Sequence, residues 1–348
     1  MEEWRVLPYG RFDAPHTMAV DEAILRCHLR ESNPSTLRLY GWKRPAVSLG
    51  YFQKTDETVN SRYCRERGID IVRRPTGGRA VCHGHDLTYS VVSRENGTRF
   101  RGGIMETYRL LSECIRRGLK RAGIETAIAQ PHGTEDAAEG GGCCFSVPAQ
   151  YELLAGGRKI CGSAQMRVRG VFLQHGSIPL SLDARDLCMI MNHVPVEDGG
   201  DFEVNHKVVT PAKAGVQMLL NDSRHTKGLC LDSRLRGNDR EKSLSYASGL
   251  RGNDMKEDSS CASRNAALNA AMERLKGRVT SVDEHAQGPI MAEALCRYIE
   301  EGFEEFLGIR LVPGGLTDGE KKAGERLLAG KYLTERWNRE GRANHEDS

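Results

Sequence analysis

The sequence lacks most of the features that assign a chain to a class at sight. Its eleven cysteines are scattered, odd in number and nowhere spaced CxxC, so the common zinc and thioredoxin-like patterns are excluded and reduced, packed thiols are expected. No apolar run approaches the roughly 20 residues that a bilayer-crossing helix requires. The opening MEEWRVLPYG has no basic segment leading into an apolar one, so the expected location is the cytoplasm. Fifty Lys and Arg stand against 47 Asp and Glu, for a net charge of +3. Charge therefore demands neither a nucleic-acid partner nor a membrane surface, and any basic site must be local. No pattern calls for a metal or a bound cofactor.

What is present is enough for a sizeable core: 348 residues, 39% of them hydrophobic, fit one large domain or two ordinary ones. Helix-type spacing runs from His16 to Glu31, and TLRLYGW (Thr36–Trp42) then alternates like a strand. TDETVNSRYCRERG suits a short helix, and Ile69–Arg74 a strand. In LTYSVV, Leu87, Tyr89 and Val91 share one face. The clearest helix spans Ile104 to about Arg121, with Ile104, Tyr108, Leu111, Ile115 and Leu119 in one stripe. A hairpin turning at Gly156–Gly157 and a strand through Val171–Gln174 follow, then the helical segments LDARDLCMIMNHV and PIMAEALCRYIEEGFEEFLG.

Between those helices, residues 205–258 are polar and aperiodic, and SRLRGND (233–239) recurs as SGLRGND (248–254). Copies this short and polar cannot stack as a solenoid. The segment resembles translated repetitive DNA and reads as a loosely ordered insertion in one catalytic domain formed by 1–204 and 259–340. Loop-closure entropy rises by only roughly 0.6 kcal/mol per doubling of length, so the host fold can carry it.

Three clusters could carry chemistry. In RRPTGGRAVCHGHDLTYSVV (Arg73–Val92), Gly77 and Gly78 bare the backbone while Arg73, Arg74 and Arg79 offer charge, as an acyl carbonyl or a phosphate would require. The spacing is neither GxGxxG nor a P-loop. The plain alternative is a surface turn with a structural His83. In GGGCCFSVPAQYELLAGGRKICGSAQ (Gly140–Gln165), glycines precede Cys143 and Cys144, and Lys159 returns across the hairpin, where an ammonium favours a thiolate. The alternatives are an incidental cysteine pair and a solvated lysine. LQHGSI (Leu173–Ile178) ends a strand with His175 and Gly176, which taken alone reads as structural.

Together with LRLYGWKRPAVSLGYFQ, these clusters resemble, in the same order, signatures of the lipoate/biotin protein ligase superfamily. The likeness covers about Trp4 to Leu182 and resumes from about Arg278 to Asn338, through GFEEFLGI and GKYLTERWN. Within the superfamily, the RRPTGGRAV wording and CF followed by YEL and GRK are most similar to the cysteine-dependent octanoyltransferases. The resemblance implies an α/β fold with a mixed β-sheet flanked by helices. It further implies Cys144 as the acyl-accepting thiol and Lys159 as the residue that ionises it. Arg74, Gly77, Gly78, Arg79, His83, Ser163, Ala164, Gln165, His175 and Gly176 would then line the acyl site. The branch usually reads His-Asp where this chain has His83–Gly84, a departure at the place of that aspartate.

The implied reaction moves octanoate from octanoyl-acyl carrier protein to a lysine of a lipoyl-accepting protein, such as the glycine cleavage H protein. One thioester replaces another, so ATP is unnecessary. Three alternatives are an ATP-dependent lipoate ligase, an amidotransferase acting between lipoyl domains, and a non-catalytic acyl-protein binding module.

Overall fold

The computed structural model describes residues 1–31, 33–95, 99–129, 151–191 and 254–341, the side chains of 254–262 and 264 excepted. The strands are β1 (Glu2–Phe12), β2 (Thr36–Trp42), β3 (Ala46–Leu49), β4 (Asp70–Arg73), β5 (Val81–His83) and β6 (Asp86–Arg94). They continue with β7 (Ala127–Ile128), β8 (Leu153–Ala155), β9 (Arg158–Val168), β10 (Val171–Pro179) and β11 (Ile309–Pro313). The helices are α1 (Ala14–Arg30), α2 (Thr55–Thr58), α3 (Ser61–Glu66), α4 (Gly103–Arg121), α5 (Ala184–Ile190), α6 (Asp254–Lys276), α7 (Ala292–Leu307) and α8 (Asp318–Leu327). The expected insertion falls outside the described residues except for 254–258, which open α6.

Eight strands form one mixed sheet in the order β11-β1-β2-β6-β10-β9-β8-β7, as the resemblance implied. β11, β1 and β2 run parallel, and from β2 onward every neighbour is antiparallel. Both faces are covered, which explains why β2 is buried throughout although its sequence alternates. Leu37 and Leu39 join the core under α4 and α7, while Arg38 and Tyr40 turn toward Asp21 of α1.

A second sheet, β4-β3-β5, has its own core with α3, α5 and α6, through Val47, Leu49, Cys64, Ile190, Leu268 and Leu275. The single short helix expected over TDETVNSRYCRERG is two, because Asn60 breaks it and caps α3 by accepting from the Tyr63 amide. α4 starts one residue before the sequence stripe. Leu111, Ile115 and Leu119 of that stripe are buried, whereas Ile104 lies exposed on the first turn.

Helices α4 and α7 meet at glycines. A Cβ on Gly302 would stand 2.4 Å from the Cys114 carbonyl oxygen, and one on Gly118 would stand 2.7 Å from Ile299 Cα. The C-terminal tail is pinned back on α1 and on the start of the glycine-arginine motif. Lys331 pairs with Glu22 at 2.8 Å and lies 3.9 Å over the Trp337 ring. The Trp337 indole donates to the Arg73 carbonyl.

Candidate active site

Of the expected site residues, Lys159, Ser163, Ala164 and Gln165 lie on β9, His175 and Gly176 on the neighbouring β10, His83 on β5 of the second sheet, and Arg74, Gly77, Gly78 and Arg79 in the segment between β4 and β5. β9 and β10 pair so that Ala164 faces His175 and Ser163 faces Gly176, and β10 in turn sets Gly176 opposite Tyr89 of β6. Gly176 has no room for a side chain: a Cβ there would come within 2.5 Å of the Tyr89 ring and 2.6 Å of the Gly162 oxygen. The turn Thr76–Ala80 lies over this surface. Gly78 adopts a φ of 88°, and its missing Cβ would sit 3.8 Å from that of Ala164. Gly50 supports the turn from behind, where a Cβ would fall 1.8 Å from the Gly78 oxygen.

The three arginines divide the work differently from expectation. Arg73 offers nothing to a ligand: it is 1% exposed, and its guanidinium donates to the carbonyls of Gly50, Tyr51, Gln53, Trp337, Asn338 and Arg339. It clamps the tail to the loop after β3. Arg74, also buried, donates to the Gly77 and Arg79 carbonyls and to Ser48 and Thr76. Arg79 remains exposed on the turn.

Both histidines sit in hydroxyl–imidazole–carboxylate rows. His83 Nδ1 meets Asp86 at 2.8 Å, its Nε2 meets Ser48 Oγ at 2.9 Å, and its ring stacks on Trp42 at 3.9 Å. An aspartate does therefore accompany His83. The chain reverses at Gly84, so that Asp86, three residues on, returns to the ring. Asp86 also accepts from the Gly84 amide, Thr88 and Ser177. His175 Nε2 meets Thr76 Oγ1 at 2.7 Å and its Nδ1 lies 3.4 Å from Asp21, which also accepts from Arg38, Tyr40 and Ser90.

Burial, aided by Arg74 and His83, holds the His175 imidazole below its ordinary range against the opposite pull of Asp21. Burial alone would raise both carboxyls, yet Arg38 and His175 keep Asp21 below the usual range, and His83 and Ser177 do so for Asp86.

Lys159 lies on β9 with its ammonium 2.7 Å from Glu152, both side chains about 6% exposed. Its peptide is gripped from the segment after α6, donating to the Arg278 carbonyl at 2.9 Å and accepting from the Thr280 amide at 3.0 Å. Tyr108 of α4 reaches the same strand. Its hydroxyl donates to the Ser163 carbonyl at 3.3 Å, and burial, reinforced by Glu152 and opposed by Arg74, pushes the phenol up.

Gln165 continues a buried polar chain through Gln174 to Tyr89 and Ser163. Cys161, on the same strand, is buried, which pushes its thiol up to about 12. Cys143 and Cys144 fall outside the described residues.

The arrangement offers a glycine turn braced against Ala164 of β9 and, from the same strand, the ammonium of a buried ammonium–carboxylate pair. Such a set suits stabilising charge on an acyl carbonyl, and among the described residues no cluster could hold a metal ion. Asp21, Asp86, Glu152 and Tyr108 escaped the sequence reading. Only Asp86 had a local signal, in its closeness to His83 within one turn.

Comparison with known proteins bears on the family of the chain. The family model for the lipoyl protein ligase A/B catalytic domain matches residues 13–212. The octanoyltransferase LipM of Kyrpidia tusciae is 35% identical over 341 residues, spanning 97% of this chain and 99% of that protein. The octanoyltransferase LipM of Moorella thermoacetica is 44% identical over 192 residues, 55% of this chain and 70% of its own length. Among solved structures, a lipoate protein ligase from T. acidophilum described with bound lipoic acid superposes with a TM-score of 0.64 at 21% identity, over 98% of this chain and 99% of that one. At that identity it speaks for the fold. With the family model matched over residues 13–212 and the sequence aligned along 99% of an octanoyltransferase, the chain belongs to the lipoyl protein ligase A/B catalytic-domain family.

Proposed function

We propose that this chain is an acyltransferase of protein lipoylation that carries octanoate through a thioester on Cys144, from octanoyl-acyl carrier protein to a lysine of a lipoyl domain such as that of the glycine cleavage H protein. The observation that carries the reading is 35% identity with an octanoyltransferase across nearly the whole of both chains. Lys159 supports it chemically. An ammonium fixed within the site can favour a sulfur anion and polarise an acyl carbonyl, and its partner Glu152 offsets the cost of burying it.

In the first step the thiolate sulfur of Cys144 bonds to the acyl carbon. The carbonyl electron pair moves to oxygen, then returns as the carrier's sulfur leaves as a thiolate. In the second step the acceptor amine attacks the new thioester, loses a proton as the amide forms, and returns Cys144 to its starting state. Neither step consumes a nucleotide. We place the reaction in the cytoplasm; among the described residues no helix is long and apolar enough to cross a membrane.

We read 205–258 as an insertion into this enzyme. Support comes from the Moorella relative, whose 192 matched residues make up 70% of its length, so that protein is markedly shorter than the 348 residues here. The test is transfer from octanoyl-acyl carrier protein to a lipoyl domain without ATP. Transfer is expected in the wild type and absent in Cys144→Ala. Strict dependence on ATP, or an active Cys144→Ala variant, would overturn the proposal.

A further inference from the structure

Arg74 was expected to touch the ligand, but its contacts give it another task. Its Nη2 donates to the Gly77 carbonyl at 2.8 Å and to the Arg79 carbonyl at 2.6 Å, so two carbonyls of the turn face inward onto one buried guanidinium. Across a trans peptide the N–H points opposite to the preceding carbonyl. The amides of Gly78 and Ala80 are thereby aimed away from Arg74, and neither is given an acceptor among the described residues.

The guanidinium is itself fixed by the two histidine rows. Its Nε donates to Thr76 Oγ1 at 3.1 Å, and its Nη1 donates to the Ser48 carbonyl at 2.8 Å and to Ser48 Oγ at 3.3 Å. Arginine only donates, so each hydroxyl accepts from it and has its own proton free for a histidine Nε2. With that proton so assigned, each imidazole carries its own on Nδ1, toward a carboxylate: Ser48–His83–Asp86 on one side, Thr76–His175–Asp21 on the other. Every donor in the two rows points away from Arg74 toward a buried carboxylate. One hydrogen-bond direction satisfies both rows and holds the turn in one conformation.

We propose that Arg74 is a positioning residue, holding the Gly77–Ala80 turn so that the amides of Gly78 and Ala80 receive the acyl oxygen when it becomes an oxyanion. The inference rests on the thioester reading above. Attack by sulfur moves the carbonyl π pair onto oxygen, and the two amides stabilise that charge until the pair returns and the carrier thiolate departs. Their orientation is set before substrate arrives, so no reorganisation is needed at the moment of reaction. Arg74 never contacts the acyl group.

The test uses the full chain with octanoyl-acyl carrier protein and a lipoyl domain, in the variants Arg74→Gln, Arg74→Lys and the near-isosteric Thr76→Val. Arg74→Gln is expected to lower kcat by about 10²–10³-fold with the donor KM within about two-fold of wild type, the size of effect seen when one oxyanion donor is lost. Arg74→Lys should not rescue it, because one ammonium cannot span both carbonyls and both hydroxyls. Thr76→Val keeps the side-chain shape and should cost about ten-fold in kcat.

The structural signature is the infrared band of a carbon-13-labelled octanoyl thioester on the enzyme. It is expected at lower frequency than a free thioester in wild type and shifted back toward the free value in the variants. Folded variants with wild-type kcat and an unmoved band would overturn the inference, as would a rise in KM with kcat unchanged, which would mean that Arg74 binds the donor. Failure of the wild-type enzyme to form any acyl adduct would instead remove the thioester reading.

Discussion

At the scale of single residues, the site is a set of buried charges, some paired within a few residues, as Lys159 with Glu152, and some across the chain, as His175 with Asp21. Lys159 is 5% exposed and Glu152 7%, and removing the carboxylate leaves an ammonium in a site built for a pair. Glu152→Ala is expected to lower unfolding free energy by about 3 kcal/mol, measured by urea denaturation, and the double change with Lys159→Met to recover most of that loss. A loss unchanged in the double variant would show that the ion pair is not its source. Lys159, His83 and His175 stood out in the sequence because each sits near a glycine-marked strand end. The sequence could not disclose Asp21, which reaches His175 from α1, more than 150 residues away in the chain. The role of Arg73 was misread for the same reason: what occupies its donors is largely the C-terminal tail, and sequence spacing does not show that both arginines of the pair turn inward.

At the scale of elements, local signals were read well and long-range pairings poorly. The hairpin at Gly156–Gly157 forms as expected, with both glycines at positive φ, of 53° and 77°. α4 was legible from its apolar stripe, and α7 as a helical segment. β1 was not assigned, because Pro8 and Gly10 interrupt its pattern and its partners β2 and β11 are parallel strands supplied from elsewhere in the chain. The glycine contact between α4 and α7 was also invisible, since a helix-interior glycine reads as a weakness until its neighbour is known. Gly302→Ala must force the helices apart and is expected to cost roughly 1–3 kcal/mol, seen as a lower urea midpoint with an unchanged slope. A midpoint equal to wild type would show that the interface yields without strain.

At the scale of the whole molecule, buried histidines tie stability to pH. Burial first, then the nearby Arg94 and Arg5 cations, holds His28 at about 4, and His175 is likewise held down by its burial. The unfolded chain protonates such rings as pH falls through 6.5, whereas the folded chain does not, so folding weakens between pH 6.5 and about 4. The buried Asp21, Asp86 and Glu22 carboxylates, held below the usual range against their burial by Arg38, His83 and Lys331, add their own loss at still lower pH. Melting temperature is expected to drop between about pH 7.5 and about pH 5, and less steeply in His28→Gln. Equal slopes in the two proteins would acquit His28.

The fold was legible at this scale because its motifs lie in family order along the chain. The thiol expected to do the chemistry lies outside the described residues, so its place must be found chemically. The decisive measurement is intact-mass analysis, followed by peptide mapping, of the full chain mixed with octanoyl-acyl carrier protein and no nucleotide. One octanoyl group on Cys144 is the expected result; an unmodified protein, or an acyl group on another cysteine, would contradict the mechanism.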